Sequence, residues 1–122
     1  MKGNPLPKLR AVCLALPEAV EVEAWGEPTF RVRKKIFAMY SNNHHGDGIV
    51  AVLCKAPPGA QEVLIGADPS RFYKPPYVGP SGWIGIRLED DVDWEMVGAL
   101  IEDAYRMTAP KRLLATLDPG AV

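Results

Sequence analysis

Apolar residues recur at helical spacing at the start of the chain and then switch to alternation. Leu6, Leu9, Cys13 and Leu16 make one face of a helix expected over residues 5–16, with Val12 beside them. Asn4 can cap it, Pro5 suits its first turn, and Pro17 stops it. From Val20 the period is two. Val20, Val22 and Ala24 share one face and Glu21, Glu23 and Trp25 the other, the pattern of a half-buried strand. Gly26 and Pro28 break it. In the next strand Phe30 and Val32 point one way and Thr29, Arg31 and Arg33 the other. The turn at Arg33-Lys34-Lys35 lacks Asn-Gly or Asp-Gly, so a loop of three to five residues is expected there. The returning stretch 36–40 is apolar on both faces and belongs centrally in a sheet.

Residues 41–48, SNNHHGDG, have loop composition. The apolar run 49–54 lies between turn signals and prolines and reads as a buried central strand. Pro57-Pro58 can open a short helix to about residue 65, with Gly66 placed to end it. Residues 68–80 read as irregular, with Phe72, Tyr73 and Tyr77 among prolines. Alternation returns over 82–88: Ile84, Ile86 and Leu88 inward, Trp83, Gly85 and Arg87 on the other face. A longer helix follows over 93–107, capped by Asp93, with Trp94, Val97, Ile101, Ala104 and Tyr105 as its buried stripe. After Pro110, residues 111–117 are expected to form a short final turn or helix. The order of helix, four strands, helix, strand, helix predicts an α+β fold. It is a single domain over residues 1–122, an antiparallel sheet of about five strands with helices packed on one face.

A chain of 122 residues can bury a core without disulfide or metal staples. Fourteen basic and fifteen acidic residues give a net charge of −1, so there is no global attraction to nucleic acid or anionic membrane. Binding of either kind needs local segregation of charge. No apolar run approaches the ~20 residues of a membrane span, and the N-terminus lacks the apolar region of a secretory signal. A cytoplasmic protein is expected, with no membrane partner and no cofactor. Cys13 and Cys54 lack the CxxC spacing, and no disulfide is expected.

Local segregation does occur. Arg31, Arg33, Lys34 and Lys35 place four cations in five positions on the hairpin, where they can neutralise phosphates. The alternative is a solvated turn that discourages edge pairing. Arg31 and Arg33 are expected on one strand face. Arg71 and Lys74 lie with Tyr73 and Tyr77 in one loop, a mixture that can hold an anion and stack on a ring, or can pin the loop to the sheet. Trp25 and Trp83 stand opposite the main apolar faces of their strands and are candidates for a ligand shelf with Tyr73 and Tyr77. His44, His45 and Asp47 have no third ligand at a useful spacing, so no metal site is expected. The acidic stretch Glu89, Asp90, Asp91, Asp93 and Glu95 reads as a solvated connector and helix cap. No nucleophile elbow, P-loop or dinucleotide fingerprint is present. Cys54 beside Lys55 could have a lowered pKa, but no histidine partner is placed. The chain is expected not to be an enzyme.

Leu14, Pro17 and Glu18, then Trp25-Gly26, Pro28, Phe30 and Val32, then Lys35, Phe37 and Ala38, occur in an order that resembles the MmcQ/YjbR family. Tyr77 in a proline-rich loop, Gly82-Trp83-Ile84, Tyr105 and Lys111 continue the likeness, which covers about residues 9–117. The resemblance implies a CyaY-like fold, a twisted antiparallel sheet backed by helices. It implies no catalytic residues. Some members are described as DNA-binding proteins through a double wing of hairpins, which names duplex DNA as the first expected partner, through Arg31, Arg33, Lys34 and Lys35 with Arg71 and Lys74. A small anionic ligand or a protein partner, held between the hairpin face and the 71–83 loop, is the alternative.

Overall fold

Alternation from Val20 onward builds one antiparallel sheet. The computed structural model describes residues 4–43, 46, 48–89 and 91–117. In chain order these form α1 (Leu6–Leu14), β1 (Val20–Ala24), β2 (Glu27–Val32), β3 (Lys35–Asn42), β4 (Val50–Lys55), α2 (Ala60–Ala67), β5 (Phe72–Tyr73), β6 (Trp83–Arg87), α3 (Trp94–Thr108) and α4 (Lys111–Leu117). A single 3-10 turn, Gly79–Ser81, precedes β6. The strand order is β1-β2-β3-β4-β6-β5, antiparallel at every step. The sixth strand is β5, two residues inside the stretch expected to be irregular. Phe72 pairs with Ile86 and Tyr73 with Gly85. Two residues are too few to show a period, which is why the pattern hid them.

One sheet face is dry. Phe30, Ala38, Tyr40, Val52, Cys54 and Ile84 are buried there. Val97, Ile101 and Tyr105 of α3, Leu9 and Cys13 of α1, and Leu113 of α4 pack on it. Leu64 and Ile65 of α2 join the same cluster. Asp93 Oδ1 accepts from the Met96 amide at 3.1 Å, the expected cap of α3, whereas α1 starts one residue later than expected, with Pro5 at its cap position and Asn4 Oδ1 accepting from the Leu6 amide at 3.0 Å. The Tyr105 ring meets Phe37 edge-on at 5.5 Å, and its hydroxyl donates to the Pro17 carbonyl at 2.7 Å. Those contacts tie α3, the sheet and the α1–β1 connection together. Among the described residues no helix is long and apolar enough to cross a membrane.

Register explains the double-sided apolar run in β3. Phe30 pairs with Ala38 but Arg31 pairs with Ile36, so Phe37 is an extra residue. This bulge puts two neighbours, Phe37 and Ala38, into the core instead of one. Ile36 is left on the opposite face, beside Arg31.

Register also decides the orientation of β1. Phe30 and Val32 fix the inward face of β2, so Thr29 and Arg31 face outward. Val22 lies opposite Thr29 and Val20 opposite Arg31. The valines of β1 therefore sit on the face without helices, 39% and 51% exposed. Glu21 instead faces α1, where Arg10 donates to both its carboxylate oxygens at 2.8 and 3.1 Å. The strand is half-buried as expected, but its carboxylate side meets the helices and its valines meet solvent.

The β1–β2 and β2–β3 hairpins each close with two residues. Val32 pairs with Lys35, leaving only Arg33 and Lys34 in the turn, with φ of 49° and 69°. The expected loop of three to five residues is corrected to this tight primed turn. Its left-handed backbone suits the twist of the flanking strands better than the residue types suggest. Arg33 consequently belongs to the turn and does not share a strand face with Arg31. The β1–β2 hairpin is alike: Ala24 pairs with Glu27, and Trp25 and Gly26 turn with φ of 55° and 79°. Because a side chain in this conformation costs roughly 1 kcal/mol, Lys34→Gly should raise stability by about that amount. The check is the midpoint of urea unfolding, which should rise with the slope unchanged.

Candidate binding site on the uncovered sheet face

Helices cover one side of the sheet, so the other side must be closed by something else or stay open. The row Val22, Thr29, Met39, Leu53, Gly85 and Tyr73 runs across it from edge to edge. At the β5 end the row closes on itself. The Tyr73 ring lies where a Gly85 side chain would be: a Cβ there would come 2.4 Å from Tyr73 Cε1. The Arg87 guanidinium stacks 5.2 Å above the same ring. Arg87 Nε is buried with no hydrogen-bond partner among the described residues.

Between that closed end and β1 lies a cavity of about 310 Å³. Thr29, Met39 and Leu53 line its floor. Trp25, from the β1–β2 turn, forms one rim, and Pro76, Tyr77 and Val78, from the β5–β6 loop, form the other. The Trp25 side is 70% exposed and Tyr77 83%. Both aromatics sit on left-handed backbone, with φ of 55° and 65°. Bulky residues rarely adopt that conformation, and where they do, the surrounding structure holds them in it. At Trp25 the tight hairpin does so. At Tyr77 a run of turns does: the amides of Val78 and Gly79 donate to the carbonyls of Pro76 and Pro75 at 2.7 and 3.0 Å. Gln61 of α2 clamps the loop, its amide nitrogen donating to the carbonyls of Gly79 and Trp83 at 2.9 and 2.6 Å.

Polar groups are sparse in the cavity. The Thr29 hydroxyl donates to the Val22 carbonyl and accepts from Arg31 Nε at 3.1 Å. Glu27 accepts the Asn42 amide on Oε2 at 2.6 Å. Ser41 completes the lining on that side. Burial and the nearby Glu27 charge push the Tyr40 hydroxyl above its ordinary pKa, against a weaker opposing hydrogen bond with Asn42.

The residues singled out from sequence divide. Trp25 and Tyr77 meet at the cavity. Tyr73 and Trp83 share its sheet face but lie outside its lining, Tyr73 under Arg87 and Trp83 opposite Lys55. The six cations do not converge on one groove. Arg33 donates to both oxygens of Glu18 at 2.7 and 3.1 Å, which holds the Glu18 carboxyl below its usual range. Lys34 and Lys35 are exposed at the hairpin tip. Arg71 reaches the opposite end of the sheet, where Nη2 donates to the Asp91 carbonyl at 3.2 Å. Lys74 lays its stem on Gly79, where a Cβ would come 2.7 Å from Lys74 Cγ. With Lys55 and Glu62 it lines a second, wider depression of about 620 Å³. Glu27, Thr29, Met39 and Leu53 were not singled out from sequence. The available signal was that 36–40 and 49–54 are apolar on both faces, which already gives their second face something to meet.

His44, His45, Asp47 and Asp90 lie outside the described residues. Among those described, no three His, Cys, Asp or Glu side chains are grouped to hold a metal. The lowering that Lys55 could exert on the Cys54 pKa does not occur. Alternation sends Lys55 to the other face, and burial pushes the Cys54 thiol up to about 12, helped by the Asp103 charge. Cys13 is raised as well, chiefly by burial.

These features define a small α+β domain with helices on one side and a ligand-sized, aromatic-rimmed cavity on the other. The YjbR family model matches residues 14–107, and the chain belongs to that family. Its structure is similar to the crystal structure of the Deinococcus radiodurans protein DR2400, a DUF419 domain. That likeness has a TM-score of 0.70 at 22% identity over 84% of this chain and 76% of the other. At that identity it speaks to fold alone. No curated protein matches the sequence.

Both thiols should resist a disulfide-exchange reagent in the folded protein and react only on unfolding. The folded pKa of Cys54 exceeds its ordinary 9.0, so its contribution to stability is complete below pH 9 and is lost as pH rises toward 12. Unfolding midpoints measured above pH 9 should fall accordingly, and less steeply in Cys54→Ala, compared with that variant's own midpoint at pH 7.

Proposed function

We propose that this domain is a cytoplasmic, non-catalytic binding module that holds a small ligand in the cavity between the sheet face and the β5–β6 loop. The observation that carries this reading is the pair Trp25 and Tyr77. Two large aromatics, mostly exposed and both on left-handed backbone, stand on opposite rims of one cavity. Exposed aromatic area held rigidly is costly for a lone domain and useful for stacking on a ligand. The volume lies at the lower end of the ~300–1,000 Å³ typical of small-molecule sites. Support for a non-catalytic role comes from the thiols, the strongest nucleophiles of the chain, which are buried and held protonated.

A thermal-shift screen of metabolites tests this. A compound at ~100 times its dissociation constant should add about 2.7 kcal/mol of stability. Trp25→Ala and Tyr77→Ala should each weaken it at least ~10-fold, a loss of about 1.4 kcal/mol. Unchanged binding in the double variant would remove the site from this cavity.

A second reading is duplex DNA binding through the cationic hairpin. What favours it is that Lys34 and Lys35 are exposed on a tight tip, and antiparallel pairing brings Lys55 to the same end of the sheet. Duplex binding should then weaken steeply between ~50 and ~200 mM salt and disappear when Arg31, Arg33, Lys34 and Lys35 are all changed to Ala. Absence of binding at low salt excludes it. The Trp25 and Tyr77 variants should leave it unchanged, so the two readings separate cleanly.

A further inference from the structure

The charge of the cavity says which ligands it suits. Among the residues lining it, Glu27 is the one with a formal charge, and no Lys or Arg joins it. One carboxylate oxygen, Oε2, is engaged by the Asn42 amide, and Glu27 makes no ion pair among the described residues. Arg31, Lys55 and Arg87 share this sheet face but do not line the cavity. The Nε of Arg31 is given to the Thr29 hydroxyl at the floor. Arg87 is three strands across, roughly 14 Å at ordinary strand spacing, and lies on the Tyr73 ring.

A carboxylate and two aromatic rings lining one cavity attract positive charge twice. The negative faces of the indole and phenol rings favour a cation near their centres, and the carboxylate adds a Coulombic partner. The remaining floor, Thr29, Met39 and Leu53, offers apolar contact to a hydrocarbon body. An anionic ligand would meet the opposite: a like charge at Glu27 and electron-rich rings.

On the reading that this cavity is the binding site, we propose that its ligand is a small organic cation, an alkylammonium group on an apolar body, with the ammonium at Glu27 and the body between Trp25 and Tyr77. This departs from the small anionic ligand expected from the sequence. The cations that suggested an anion are drawn to Glu18, to the Asp91 carbonyl and to the second depression, away from the aromatics.

Three probes sharing a phenyl body test it by calorimetric titration: phenethylammonium, 2-phenylethanol and phenylacetate. The cation should bind at least ~10-fold more tightly than the neutral alcohol, and the anion more weakly than either. Glu27→Gln keeps an oxygen acceptor for the Asn42 amide while removing the charge. It should abolish the preference for the cation and leave the affinity for the alcohol unchanged, with the melting temperature confirming the fold. Equal binding of all three probes, lost in Trp25→Ala, would overturn the cation assignment and keep the site. So would tighter binding of phenylacetate, or a cation preference that survives Glu27→Gln. Should Glu27→Gln fail to fold, the order of the three probes on the unaltered protein decides by itself. Binding of none up to millimolar concentration would overturn the assignment together with the site.

Discussion

Every helix of the described chain contributes to one core, on one side of the sheet, and most of the remaining structure follows from that imbalance. A sheet buried on one face can leave the other wet only if that other face is polar. Here it is not: Val20, Val22, Ile36, Met39 and Leu53 all lie on it. The chain meets this in two ways. Over β4, β5 and β6 the loop before β6 folds back across the face, and the Tyr73 ring fills the space that Gly85 leaves. Over β1 the face stays open, with Val20 and Val22 exposed, while Thr29 of β2 is buried and takes a hydrogen bond from Arg31. The cavity is the boundary between these two regimes, with Tyr77 on the covered side and Trp25 on the open one.

The same side-to-side accounting assigns the charges. Arg33 is drawn to Glu18, Arg10 to Glu21 and Arg106 to Glu102, each within 3.0 Å. Such pairs at the surface contribute little to stability, typically under ~1 kcal/mol. Their consequence is positional, because a cation held against a carboxylate is not presented to a phosphate. The hairpin that is most cationic in sequence therefore presents two lysines at its tip, with its arginines turned to partners along its flanks.

Much of the fold was legible in the residues. The period of α3, its Asp93 cap, the inward set Ile84, Ile86 and Leu88, and the inward pair Phe30 and Val32 all follow from spacing and side-chain type, because burial of an apolar stripe is a local pattern with a fixed period. The order of residues from Leu14 to Tyr105 also carried the family. The short strand β5 and the two-residue turn at Arg33-Lys34 were not legible. A two-residue strand has no period, and a turn's conformation was set by the twist of its strands over the preference of its residues.

Of the candidate site, sequence alone determined the aromatics. Trp25 and Tyr77 stand out as large rings beside Gly and Pro, where no core pattern claims them. Sequence also determined that the strands 36–40 and 49–54 have two apolar faces. Only the tertiary structure decided that Tyr77 and Glu27 line the same cavity as Trp25, and that Arg33 and Arg71 do not. Those facts depend on strand register, on the bulge at Phe37 and on the path of the β5–β6 loop over the sheet. Each is a contact between residues far apart in the chain, and the spacing of residues along one strand says nothing about what stands opposite it.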